Sequence, residues 1–183
     1  MSNKERFYFV RHGQTDANLG NLAAGAGWDI ELNENGLSQA KALAQSVSIQ
    51  ACIDVKTICV SPMVRARQTA EALSAVIKAP IVCVEELKEW HLGDWEKRAW
   101  SDLPSLYHPE TNPPGGETQS DFGRRIAAGL AQALSHPGPV LIVAHGGVWH
   151  GITRLLSLPG GGIGNCELMH VSRAHAADNW TLE

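Results

Sequence analysis

No stretch of this sequence stays apolar for the roughly 20 residues that a membrane-spanning helix needs, and the opening Met1-Ser2-Asn3-Lys4-Glu5-Arg6 lacks the hydrophobic segment of a signal peptide. The expectation is a soluble, cytoplasmic protein with no membrane partner. Positive charge is not in excess either: 15 Lys and Arg stand against 19 Asp and Glu, a formal net charge of -4. That balance excludes nucleic-acid binding by charge alone and requires any anion site to be local. Cysteine is scarce, and Cys52, Cys59, Cys83 and Cys166 show no paired ligand spacing. Reduced structural thiols are expected, Cys59 and Cys83 in buried strands, with no metal and no cofactor. No repeat of fixed period is evident. What is there is an ordinary globular balance, 44% hydrophobic and 19% charged, in 183 residues. That length suits one domain over 1–183 with a core of its own.

Apolar runs without polar alternation mark strands buried on both faces. They occur over 7–10, 55–60, 81–84 and 140–143, with a last strand expected over 167–171. Between them, apolar residues recur at helical spacing. Leu37, Ala40, Leu43, Ala44 and Val47 form one stripe, Ala66, Thr69, Ala70, Leu73 and Ile77 a second, and Phe122, Ile126, Leu130 and Leu134 a third. Residues 148–156 read as a further helix. Asn35-Gly36, Ser61-Pro62, Ala79-Pro80 and Gly138-Pro139 punctuate these elements, and 14–32 and 159–164 read as loops. Strands alternating with helices predict an α/β fold, a three-layer α/β/α sandwich around a mostly parallel central sheet. Residues 85–119 break the alternation with Trp90, Trp95, Trp100 and Pro113-Pro114-Gly115-Gly116, which describe an excursion over the sheet edge forming one wall of a pocket. The tryptophans at 28, 90, 95 and 100 either line that pocket or pack beneath it.

Ligands of parallel sheets bind at the carboxyl ends of the strands. Two apolar runs deliver a histidine there: His12-Gly13 after 7–10, preceded by Arg11, and His145-Gly146-Gly147 after 140–143. Both open on the same edge, so one imidazole can attack a reacting group while the other, protonated, stabilises charge. Each alone also fits a histidine that merely caps a strand. Without Cys, Asp or Glu at ligand spacing the pair makes a poor zinc site. Arg11 offers a planar fork to phosphate oxygens. Arg65 sits in the first turn of the helix after Ser61-Pro62, where the macrodipole disfavours a cation; a bound anion removes the conflict. Glu89, inside the aromatic wall, is placed to protonate a departing alkoxide, although with Glu85, Glu86 and Glu96 close by the residues alone favour a surface charge there.

These blocks, in this order, resemble the histidine phosphatase superfamily, in the branch that includes cofactor-dependent phosphoglycerate mutases and small-molecule phosphatases. Arg11-His12-Gly13-Gln14-Thr15 with Asn18 is similar to its opening signature, and Ser61-Pro62 with Arg65, Ala66, Gln68, Thr69 and Ala70 to its second. Leu87, Glu89 and Gly93 match a third, Gly116-Glu117-Thr118 a further block, and Ala144-His145-Gly146-Gly147 the last. The resemblance implies that His12 is the phosphorylated nucleophile and Glu89 the acid. It places Arg11, Arg65 and His145 in the phosphate pocket, and Thr15, Asn18, Gly25 and Gly146 at the substrate. Two departures, Ala24-Gly25 where the family often has Gln-Gly and Lys97 where a glycine commonly follows the second glutamate, lie at the substrate rim.

The implied activity is metal-independent hydrolysis of a small phosphorylated metabolite, a phosphate monoester, through a covalent phosphohistidine, by a monomer or homodimer. Two alternatives are mutase-type phosphoryl transfer, for which 183 residues is short, and a catalytically silent phospho-ligand binding module. The expected mark of the latter, loss of His12, Arg65 or His145, is absent.

Overall fold

The computed structural model describes residues 5–50, 52–106, 108 and 111–183; the polar lead-in at Met1 to Lys4 lies outside the described residues, as do positions 51, 107, 109 and 110. The strands are β1 (Glu5–Arg11), β2 (Thr57–Val60), β3 (Ile81–Cys83), β4 (Val140–Ala144), β5 (Leu168–Arg173) and β6 (Thr181–Leu182). They form one sheet in the order β3-β2-β4-β1-β5-β6. β1, β2, β3 and β4 run parallel, β5 is antiparallel to β1, and β6 is antiparallel to β5. The helices are α1 (Asp16–Leu19), α2 (Glu34–Ala44), α3 (Val47–Gln50), α4 (Val64–Ile77), α5 (Gln119–Ser135) and α6 (Gly146–Leu155).

Because strand side chains alternate in direction, the continuous apolar runs divide between two cores. Phe7, Phe9, Val140 and Ile142 pack with Phe122, Ile126 and Leu130 of α5 and with Val148, Trp149 and Ile152 of α6. Tyr8, Val10, Leu141 and Val143 pack on the other face with Leu43 and Ala44 of α2 and Ala66, Ala70 and Leu73 of α4. This is the three-layer α/β/α arrangement. No helix among the described residues is long and apolar enough to cross a membrane.

Several local expectations need correction. Asn35-Gly36 is not a turn. The side chain of Asn33 accepts the Gly36 N–H at 2.9 Å and caps α2, so the pair lies inside the first turn. The buried stripe of that helix is Gly36, Ala40, Leu43 and Ala44. Leu37, about 100° around the axis from Gly36, is 50% exposed, and Val47 at 88% belongs to the separate α3. In α5 a four-residue spacing drifts by about 40° per step. The core face therefore passes to Ala133, and Leu134 is exposed. Cys83 is exposed because β3 is an edge strand that pairs with β2 alone; Cys59, in the interior strand, is buried as expected. The expected strand over 167–171 runs from Leu168 to Arg173, and β6 had no readable signal in two ladder residues.

Among the described residues, the segment between β3 and α5 contains only single-turn 3-10 helices: Glu85–Leu87, Gly93–Trp95 and Trp100–Asp102. Trp95 joins the core, and Trp90 stacks on Phe122 at 4.4 Å between ring centroids.

Candidate active site

Parallel pairing aligns the ends of three neighbouring strands. Arg11 pairs with Ala144, and Val60 with Val143. One residue further on, the His12 N–H donates to Ala144 O at 3.0 Å and the Ser61 N–H to Val143 O at 3.1 Å. His12, Ser61 and His145 thus leave the sheet side by side. The two imidazoles meet edge to face, their centroids 5.1 Å apart.

The His12 ring has a defined tautomer. Nδ1 lies 2.7 Å from Gly13 O; a carbonyl only accepts, so Nδ1 carries the proton and Nε2 keeps a lone pair. Burial first, then Arg65 and Arg11, hold the His12 pKa well below the ordinary histidine value, so the ring is neutral at pH 7. Gly13 is needed because any Cβ there would stand 2.6 Å from Gly36 O in the first turn of α2.

His145 departs from the expectation of a charged ring. Its burial, followed by Arg65 and the neighbouring His12, lowers its pKa well below the usual value and leaves it neutral in the ligand-free protein. Nε2 contacts Ser61 Oγ at 2.7 Å, and Nδ1 has no hydrogen-bond partner among the described residues. His145 backs His12 and does not itself line the cavity.

Both histidines have folded-state pKa values below those of the unfolded chain, about 6.5. Below that pH the unfolded chain binds protons that the folded chain refuses, so stability falls as pH drops from about 6.5 toward the lowered values and is unaffected by these groups above it. Urea midpoints taken from pH 7.5 to 5.5 should decline, and His12→Ala should flatten the slope. An unchanged slope would show that His12 is not held neutral.

Arg65 is 1% exposed. Nη2 donates to Gly25 O at 2.9 Å and Nη1 to Trp28 O at 3.3 Å, while the buried Nε has no partner among the described residues. The conflict with the helix dipole is relieved in part by Asp29, whose carboxylate accepts the Val64 N–H at 2.9 Å. Arg11 reaches the Ile163 carbonyl with Nη1 at 2.7 Å and faces the same cavity. The unused Nε of the buried Arg65 guanidinium, beside Arg11 and His12, suits a tetrahedral anion.

Glu89 bridges the excursion and α6. Oε1 accepts its neighbour's N–H, from Trp90, at 2.8 Å, and Oε2 accepts the Gly147 N–H at 3.1 Å in the first turn of α6. Arg125 holds the peptide backbone around it, donating to the carbonyls of Glu86 at 2.7 Å, Lys88 at 2.8 Å and Glu89 at 3.2 Å. Its remaining donors grip both carboxylate oxygens of Glu117. Nothing local in the sequence marks Arg125; it lies on α5, far along the chain from Glu89. A Cβ at Gly147 would come within 2.3 Å of Glu89 Oε1. Gly147→Ala should therefore displace the carboxylate and lower kcat by about 10²-fold, at the low end of general acid–base effects, with little change in thermal midpoint. Wild-type kcat in that variant would mean that the carboxylate's position is unimportant.

The cavity at this edge has a volume of about 520 Å³. Arg11, His12, Thr15, Asn18, Arg65 and Glu89 all line it, as do Gly25 and Gly146. Thr15 and Asn18 are tied to each other by a capping box, and Asn165 Nδ2 donates to Asn18 Oδ1 at 3.2 Å. Of the tryptophans, Trp90 and Trp100 line the cavity and Trp95 packs below it; Trp28 lends Arg65 its carbonyl while its ring faces Lys97 Nζ at 5.5 Å. His150, which no sequence motif marks, lines the cavity from the α6 turn after His145. The backbone of Lys97 has φ 67°, which a glycine adopts without strain. Among the described residues no group of three or more His, Cys, Asp or Glu is arranged to hold a metal ion.

A model of the histidine phosphatase superfamily (branch 1) matches residues 7–179. An adenosylcobalamin/alpha-ribazole phosphatase of Salmonella typhimurium is 34% identical over 170 residues, covering 84% of this chain and 81% of that protein. A phosphatase of Bacillus subtilis is 36% identical over 150 residues, covering 81% and 75%. Among solved structures, a mycobacterial glucosyl-3-phosphoglycerate phosphatase in complex with VO3 superposes with a TM-score of 0.83 at 29% identity, over 98% of this chain and 97% of that one.

Proposed function

The chain belongs to the histidine phosphatase superfamily, and on that premise we propose the following division of labour for hydrolysis of a small phosphate monoester. The neutral His12 Nε2 attacks phosphorus in line and the bond to the ester oxygen breaks. The ring becomes cationic as the P–N bond forms, and the Gly13 carbonyl, already bonded to Nδ1–H, steadies that charge. Arg11 and Arg65 hold the non-bridging oxygens and spread their charge. His145, neutral when the site is empty, gains a proton affinity as the dianion enters, and Ser61 fixes its orientation.

Glu89 begins as the acid and gives its proton to the departing alkoxide. As carboxylate it then takes a proton from water, whose oxygen attacks phosphorus; the P–N bond breaks, phosphate leaves, and His12 returns to its neutral tautomer. Each half-reaction balances with water as the only co-reactant. Thr15, Asn18, Gly25 and Gly146 border the space for the ester, and the proposal needs no metal.

The observation that carries this reading is the His12 tautomer: a buried neutral ring with Nδ1 committed and Nε2 available, beside two arginines. Similarity to named phosphatases supports water as acceptor. The test is release of inorganic phosphate from a phosphomonoester with a chelator present. Isomerisation of 3-phosphoglycerate without free phosphate would instead favour the mutase reaction, and inactivity toward a broad ester panel a binding module. One domain spanning the chain, a cytoplasmic location and a monomeric or homodimeric state belong to the same proposal.

A further inference from the structure

Beyond the phosphate pocket, the cavity wall formed by the described residues is largely apolar and carries no further arginine or lysine. Leu22, Trp100, Leu106 and Ile163 face the space into which the ester's alcohol must extend, and residues 160–162 border it as three glycines with no side chains. All three are exposed, and a Cβ on any of them would meet nothing within 4 Å. Trp100 is 37% exposed, an uncommon placement for an indole that only packs, and puts a flat apolar face at the mouth.

The charges are equally one-sided. Among the described residues lining the cavity, the arginines are Arg11 and Arg65, both assigned to the phosphate, and no lysine joins them. The other ionisable groups are Glu89, His12 and His150. Burial and the nearby Arg154 lower the His150 pKa, leaving it uncharged at neutral pH. A carboxylate or second phosphate on the alcohol would lose water and meet no further cation; an unpaired anion in such a place is costly.

We infer that the preferred substrates are phosphate monoesters of uncharged, bulky apolar or aromatic alcohols, and that esters carrying a second anionic group are disfavoured. This rests on the phosphatase reading and deepens it by naming the substrate class.

The test compares 2-phenylethyl phosphate, glycerol 3-phosphate and 3-phosphoglycerate. The first two release primary alkoxides, so the chemical step is matched and their difference reports the pocket. The expected order of kcat/KM is phenylethyl above glyceryl by about tenfold, the scale of apolar-pocket discrimination, and above phosphoglycerate by about 10²-fold. Leu106→Lys, at a half-buried rim position, should raise the phosphoglycerate to phenylethyl ratio by about tenfold. Equal or better hydrolysis of phosphoglycerate by the wild type overturns the inference, as does an unchanged ratio in the folded variant. If no ester is turned over and no phosphate becomes bound to His12, the phosphatase reading itself fails; a labelled enzyme that prefers the carboxylated ester defeats only the present inference.

Discussion

With alanine at position 12, phosphate release should fall on the order of 10⁵- to 10⁶-fold, the scale of losing a covalent nucleophile. His145 does not replace it: that ring stands behind His12 with Nε2 committed to Ser61, and its centroid is 5.1 Å away from that of His12. Rapid mixing with a radiolabelled ester, followed by a denaturing alkaline quench, should trap label on the wild-type protein in an acid-labile bond and none on His12→Ala. The variant should still bind inorganic phosphate or vanadate within about tenfold of wild type, since Arg11 and Arg65 retain their anchors on Ile163, Gly25 and Trp28. Binding retained with turnover lost separates chemistry from folding. A labelled, active His12→Ala protein would end the proposal.

Glu89→Gln should produce the next largest loss, about 10³-fold in kcat on alkyl esters, within the range of general acid–base catalysis. Glutamine preserves shape but presents one oxygen where the carboxylate accepts two N–H groups, from Trp90 and Gly147. A nitrophenolate leaves without needing a proton, so with p-nitrophenyl phosphate the first step should survive while the second, which needs a base to activate water, stalls. The expected signature is a burst of nitrophenolate equal to the enzyme concentration, followed by slow turnover and accumulated phosphohistidine. Equal losses on alkyl and nitrophenyl esters with no burst would reduce Glu89 to a positioning role.

The positions of the strands and the relation between the two halves of the site are where sequence patterning reached furthest. The apolar runs around Phe9 and Ile142 lack polar alternation because those strands are covered on both faces. A histidine at the end of each then falls on one edge through parallel pairing alone. Arg65 was recognisable because a cation in the first turn of a helix is out of place unless something negative meets it; here Asp29 supplies part of that charge. Boundaries were less legible. Leu37, Val47 and Leu134 are apolar residues on exposed helix faces, and hydrophobicity alone does not say which neighbour a helix will find.

What the chain determined by itself is the kind of chemistry: strand, histidine and glycine are contiguous, so their spacing carries over directly into geometry at the end of a strand. Tertiary structure alone decided protonation and aim. Whether His145 is charged depends on the solvent it loses and on Arg65 and His12 beside it, whether Glu89 faces the site depends on Arg125 gripping three carbonyls from α5, and whether a tryptophan lines the cavity or fills the core depends on the path of the excursion. Those are consequences of burial and of contacts between distant segments, which no local pattern encodes.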